Sequence, residues 1–239
     1  MKVIVCKDYQ EMSAKAADFV AAEISKKPNM VLGLATGSTP VGMYDELAEK
    51  CSRGEISFVG VCTVNLDEYY PIEPTNDQSY RYFMDQHLFD RVDIDKKNTH
   101  VPCGTAADPV AEGKRYEALI DSLGGADVQV LGIGQNGHIG FNEPADALVL
   151  DTHVTDLTEN TIAANSRFFA SEKDVPRRAL TMGMGSIFKA KKIILLVNGA
   201  NKKQALATVL SGALTTTCPA TLLNLHPDVT LFCTEDAVK

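Results

Sequence analysis

Asn136, His138 and Glu143 stand within eight positions of one another in the segment LGIGQNGHIGFNEP (131–144). A histidine titrates near neutral pH, so His138 is the one side chain there that can take or return a proton without a displaced pKa. A carboxylate such as Glu143 can orient an imidazole and keep it basic. The amide of Asn136 can only hydrogen-bond, which makes it an orienting partner and not an ionised relay. The segment is rich in glycine and follows the apolar run VQVLGI (128–133). Glycine lets a backbone turn tightly and come close to a ligand. A core strand needs none of this chemistry, whereas a catalytic loop at a strand end does.

Other residues could complete such a site. Asp67 and Glu68 lie at the end of an apolar run and precede Tyr69-Tyr70-Pro71. A carboxylate at a strand end can act as a general base, although acidic residues are also common in plain turns. Thr36-Gly37-Ser38-Thr39 separates a strand-like run from a helix-like one. Its backbone N–H groups, its hydroxyls and the helix start suit a phosphate, and an ordinary N-cap turn would use the same residues. The loop has neither the GK[ST] of a nucleotide-binding P-loop nor a GxGxxG dinucleotide fingerprint. Lys202 and Lys203 open a helix-like stretch, where positive charge opposes the helix dipole unless an anion is bound. Arg167, in AANSRFF (163–169), could clamp a phosphate with two parallel hydrogen bonds. A surface ion pair explains that arginine equally well. Metal ligation has little support, because the loop holds one histidine without a helically spaced partner. Nucleophilic catalysis has little either, since no GxSxG elbow occurs.

Apolar β-rich runs alternate with helix-like stretches along the whole chain. Strands are expected at 2–6, 30–34, 59–66, 128–133, 192–197 and 229–233. Helices are expected at 8–27, 40–52, 78–89, 107–123 and 201–211. Asp8 and Asp108 are placed to cap two of them. The strands are continuous apolar runs, which implies burial on both faces, as in a parallel sheet covered by helices. The expected fold is therefore α/β, a single doubly wound, mostly parallel sheet with helices on both faces. Such sheets bind ligands beyond the carboxyl ends of their strands. The clusters 35–40, 65–71, 134–144 and 198–203 all follow strands directly.

The chain has 239 residues, of which 45% are hydrophobic, and no linker, repeat or low-complexity tract divides it. One domain over 1–239 is the expectation. The net charge of −8, with no basic stripe, argues against nucleic acid. An anionic substrate would then need a local basic pocket. The longest apolar run, IILLV (193–197), is too short to span a membrane, and no signal peptide opens the chain. The six cysteines form no CxxC pair, which fits reduced, buried thiols in a cytoplasmic protein.

Five motifs occur here in one family's order and spacing: LATGSTPVGMY (34–44), NLDEYYP (65–71), LGIGQNGHIGFNEP (131–144), ANSRFF (164–169) and the lysine of NGANK (198–202). Over essentially its whole length the chain resembles the glucosamine-6-phosphate deaminases, also called isomerases. The related 6-phosphogluconolactonases share the glycine–histidine loop, but they usually carry an arginine where Tyr69 stands and lack an equivalent of Asn142-Glu143. A sugar-phosphate sensor of related fold would normally carry a DNA-binding segment. The resemblance implies a modified Rossmann-like fold and no cofactor. It implies conversion of D-glucosamine 6-phosphate and water to D-fructose 6-phosphate and ammonium. It assigns Asp67 to proton removal at carbon 2, and His138, with Glu143 and Asn136, to opening of the sugar ring. It assigns Thr36, Gly37, Ser38, Thr39, Arg167 and Lys202 to the substrate phosphate. The partner is a small sugar phosphate, and the acting unit a monomer or homo-oligomer.

Allosteric members of the family bind N-acetylglucosamine 6-phosphate through basic residues soon after the loop. ADALVLDTHVTD (145–156) contains no Lys or Arg, so an enzyme without that activation is expected. Sigmoidal kinetics abolished by N-acetylglucosamine 6-phosphate would overturn this expectation.

Overall fold

The computed structural model describes residues 1–166, Phe169, Ser171 and 174–238. It begins with strand β1 (Lys2–Cys6) and helix α1 (Tyr9–Lys26). The Asp8 carboxylate accepts the Glu11 amide at 2.8 Å, so the expected cap forms. Met12, Ala16, Val20 and Ile24 recur at helical spacing and are buried together. Strand β2 (Val31–Leu34), helix α2 (Ser38–Ser52), strand β3 (Cys62–Asn65) and strand β4 (Asp67–Tyr70) follow. Helix α3 (Tyr80–Met84) widens into a π turn over Asp85–Phe89 and leads to β5 (Thr99–His100). Then come α4 (Pro109–Ser122), capped by Asp108, β6 (Val128–Gly132), β7 (His153–Asp156), α5 (Glu159–Asn165), β8 (Arg178–Thr181) and α6 (Met184–Phe188). Strand β9 (Lys192–Val197), α7 (Lys203–Leu210), β10 (Val229–Thr234) and α8 (Glu235–Val238) close the described chain.

Seven strands form one parallel sheet in the order β1-β10-β9-β6-β2-β3-β5. Helices α1, α2 and α3 belong to connections that run toward β5, whereas α4, α6 and α7 belong to connections that run back toward β1. Right-handed crossovers then place the two sets on opposite faces, and α1 accordingly packs on α2. Residues 193–197 of β9 and all of β10 are buried, as continuous apolar strands require. Strand β1 departs from that expectation. It is an edge strand, and Val3 and Val5 are exposed.

A second sheet was not anticipated. Strands β4, β8 and β7 pair antiparallel in that order. The apolar run expected as one strand over 59–66 stops pairing at Asn65, the chain bends at Leu66, and Asp67 opens β4. Leu66 is the hinge between the sheets: its amide donates to Leu34 of β2 at 3.0 Å, and its carbonyl accepts from Met182 at 2.7 Å. A small apolar cluster of Tyr69, Ile72, Phe141, Leu157, Ile162, Val175 and Ala179 underlies the second sheet. The cysteines also differ in part. All six are free thiols, but Cys103 is exposed and Cys51 and Cys62 are only half-buried. Among the described residues no helix is long and apolar enough to cross a membrane.

Candidate active site

Strands β3, β2, β6 and β9 are adjacent and parallel, so the loops after them emerge along one edge of the sheet. At about 4.8 Å per strand, the outer two are roughly 15 Å apart, the reach of one sugar phosphate and the side chains around it. The four polar clusters expected from the sequence share this edge.

Asp67 and Glu68 are neighbours on β4 and therefore point to opposite sides of the strand. Glu68 is spent on structure. It accepts the amides of Tyr69 at 2.9 Å, Tyr80 at 2.8 Å and Arg81 at 2.9 Å, and so tethers the start of α3. Burial pushes its pKa up to about 7 against the pull of those three donors. Asp67 is buried too, and among the described residues its carboxylate accepts no hydrogen bond. Burial, reinforced by the charge of Glu68, pushes Asp67 up to about 8. An undersolvated carboxylate of this kind is a strong base once it has lost its proton.

The loop after β6 comes to Asp67. A side chain at Gly140 would begin 2.9 Å from Thr181 Oγ1 and 3.5 Å from Asp67 Oδ2. Glycine is required there twice, for that closeness and for a φ of 58°. Earlier in the loop the His138 ring lies over Gly134, where a Cβ would sit 2.4 Å from the ring. His138 Nδ1 stands 3.3 Å from Glu143 Oε1, near enough for an ion pair but off the line of a hydrogen bond. Asn136 donates to Glu143 Oε2 at 2.7 Å and accepts the His138 amide at 3.2 Å. Burial would raise the Glu143 pKa, but His138, Thr161 and Asn136 together outweigh it and hold the carboxyl at about 2. Glu143 is therefore ionised at any working pH. Asn136, His138 and Glu143 form one connected set, as their spacing suggested.

Asn142, from the same motif, has a different task. Its amide donates to Ile139 and Met182 carbonyls, both at 2.9 Å, and fastens the loop to the end of β8. Thr161 was missed. Its hydroxyl donates to Glu143 Oε1 at 2.6 Å from α5. The segment LTENT (157–161) signals a helix start, but nothing in it signals contact with Glu143.

The candidate phosphate donors lie at two other strand ends. Gly37 is the N-cap of α2 and supplies no side-chain cap, so the first N–H groups of that helix are left without a capping side chain, and Ser38 opens the helix with Thr39 next to it. Tyr9 steadies this turn, donating to Ser38 O at 2.9 Å and accepting from Gly42 N at 2.8 Å. Lys202 ends the turn Ala200–Lys202 beyond β9 and precedes α7. Arg167 lies outside the described residues. Among the described residues no group of three His, Cys, Asp or Glu side chains is arranged to hold a metal. The histidines away from the loop include His226, which bonds the Ala190 carbonyl at 2.8 Å, and His153, which bonds that of Asp151 at 2.9 Å.

A model of the glucosamine-6-phosphate isomerase/6-phosphogluconolactonase family matches residues 7–232. The chain belongs to this family. A glucosamine-6-phosphate deaminase of Thermoanaerobacter pseudethanolicus is 55% identical over 239 residues, covering 100% of this chain and 94% of that protein. One of Lachnoclostridium phytofermentans is 53% identical over 98% of this chain and 99% of its own. A solved monomeric glucosamine-6-phosphate deaminase superposes with a TM-score of 0.97 at 44% identity, covering 99% of this chain and 98% of that one. A 6-phosphogluconolactonase of Trypanosoma cruzi has a TM-score of 0.79 at 20% identity, over 99% of this chain and 95% of that one. That likeness is one of fold alone. Tyr69 is buried in the satellite cluster, its ring 4.7 Å from Tyr80 and 5.9 Å from Phe141.

Proposed function

We propose that this chain converts D-glucosamine 6-phosphate and water to D-fructose 6-phosphate and ammonium. The observation that carries the reading is the pairing of a buried, undersolvated Asp67 with a separate His138–Glu143 pair, its carboxylate ionised, on the adjoining loop. The reaction needs two distinct proton movements. The closed sugar must first lose its anomeric hydroxyl proton as the ring oxygen regains one, which exposes the aldehyde. The aldehyde then acidifies the hydrogen on carbon 2, and that hydrogen must move to carbon 1. The product of that shift is a ketose imine, which water hydrolyses to the ketone and ammonia. His138, oriented by Glu143 and Asn136, serves the first movement, and Asp67 serves the second. Each positioned acid or base contributes on the order of 10²–10⁴ in rate.

The phosphate, remote from the reacting carbons, holds the sugar in register. Thr36, Gly37, Ser38, Thr39, Lys202 and Arg167 are its partners in this reading. Lys202→Ala should raise KM by roughly tenfold or more, the usual worth of a charged hydrogen bond, and change kcat less. Steady-state kinetics checks this, and an unchanged KM would remove Lys202 from the phosphate site. The reading as a whole is tested by ammonium release from glucosamine 6-phosphate with purified protein. No ammonium, with hydrolysis of 6-phosphogluconolactone instead, would overturn it.

A further inference from the structure

Glu143 is held by three side chains, and one of them comes from a different element. Thr161 on α5 donates its hydroxyl to Oε1 at 2.6 Å. The same oxygen faces His138 Nδ1 at 3.3 Å, while Oε2 accepts from Asn136. An ionised carboxylate only accepts, so the Thr161 hydrogen must point at Glu143. The Thr161 oxygen is then free to accept from the Thr158 hydroxyl at 3.0 Å, which accepts in turn from the Thr161 amide at 3.2 Å. The charge on Glu143 thus sets the direction of every donor in the chain. Thr158 is also the N-cap of α5, so the helix cap and the carboxylate share one network.

A threonine inside a helix commonly bonds a carbonyl of its own preceding turn. Thr161 instead reaches a residue 18 positions away. Its neighbour Ile162 is buried in the satellite cluster and anchors the helix by packing. The Thr161 hydroxyl is not needed for that anchoring.

We propose that Thr161 is a positioning residue for ring opening: it fixes the Glu143 carboxylate so that Oε1 faces His138, and thereby fixes the imidazole against the sugar. The inference rests on the deaminase reading above. The low pKa of Glu143, to which Thr161 contributes, agrees with it.

Two variants test it. Thr161→Val keeps the volume and removes the hydroxyl, whereas Thr161→Ser keeps the hydroxyl. In the valine variant kcat should fall by on the order of tenfold or more, the worth of one hydrogen bond to a charged group. KM should stay within about twofold, because the hydroxyl removed is bonded to Glu143 and Thr158 and not to a phosphate donor. The Glu143 carboxyl, followed by carbon-13 NMR, should titrate at higher pH than in the wild type, since a donor to its charged form is gone. The serine variant should restore both. Equal impairment of valine and serine, a loss confined to KM, or an unmoved Glu143 titration would each overturn the proposal. A wild-type protein that releases no ammonium would instead overturn the deaminase reading, whatever the NMR titration shows of the hydrogen bond.

Discussion

Asp67→Asn is expected to lower kcat for deamination by on the order of 10²–10⁴, the usual contribution of a positioned base, while substrate still binds. In deuterated water the wild type should exchange the hydrogen that travels between carbon 2 and carbon 1, and the variant should not. Exchange at the wild-type rate in the variant would remove Asp67 from the base role. The same carboxyl should shape the pH profile. Its pKa in the folded protein is about 8, and only the ionised form accepts a proton from carbon. The value of kcat/KM, which reports groups of the free enzyme, should therefore climb with pH until about 8 and then level off.

That substitution should also stabilise the fold. The folded-state pKa of Asp67 lies above its ordinary value of 3.8. The stability linked to the group is therefore complete below about pH 4 and is lost as pH rises through about 8. Asparagine is neutral throughout and keeps it. At pH 9 the variant should resist unfolding better than the wild type, by on the order of a few kcal/mol. Denaturant titrations at pH 5 and pH 9 measure this. A variant less stable than the wild type at pH 9 would contradict the undersolvated state ascribed to Asp67.

The second large effect belongs to His138. His138→Gln keeps a polar side chain but removes the proton carrier, and deamination of the closed sugar should fall by on the order of 10²–10³. The reverse direction separates ring opening from the carbon chemistry. The open-chain ketone of fructose 6-phosphate, supplied by spontaneous opening of its furanose ring in solution, condenses with ammonia to the ketose imine with loss of water, and no pyranose has to open. Exchange of the imine's carbon 1 hydrogen should therefore survive in His138→Gln and fail in Asp67→Asn. If both variants lose that exchange equally, the division of labour between the two residues is wrong.

Much of the site could be read before the fold. The run 131–144 showed a titratable histidine, a carboxylate and an amide on a glycine-rich strand end, and Asn136, His138 and Glu143 do form one set. Their separations of two and five residues place them on one short loop, where local geometry alone brings side chains together. The alternation of apolar runs and helical faces indicated the parallel sheet for a similar reason, because burial on both faces leaves strands without polar positions. The same reasoning failed at Leu66. An apolar residue continues a strand pattern equally well whether the chain runs on or bends, so the break into a second sheet left no local mark.

Sequence by itself determined which residues are candidates for the chemistry, that strand ends present them, and which family the chain belongs to. Tertiary structure alone decided how two adjacent carboxylates divide their work. Asp67 and Glu68 look alike in the chain, but the pleat of β4 turns them apart. Glu68 meets three backbone N–H groups, and Asp67 meets none among the described residues. The difference in solvation, not in composition, is what singles out Asp67 as the proposed base. Thr161 is the other residue that only the fold could assign. Its contact with Glu143 spans 18 positions and two elements, and a hydrogen bond of that reach depends on packing that no local pattern records.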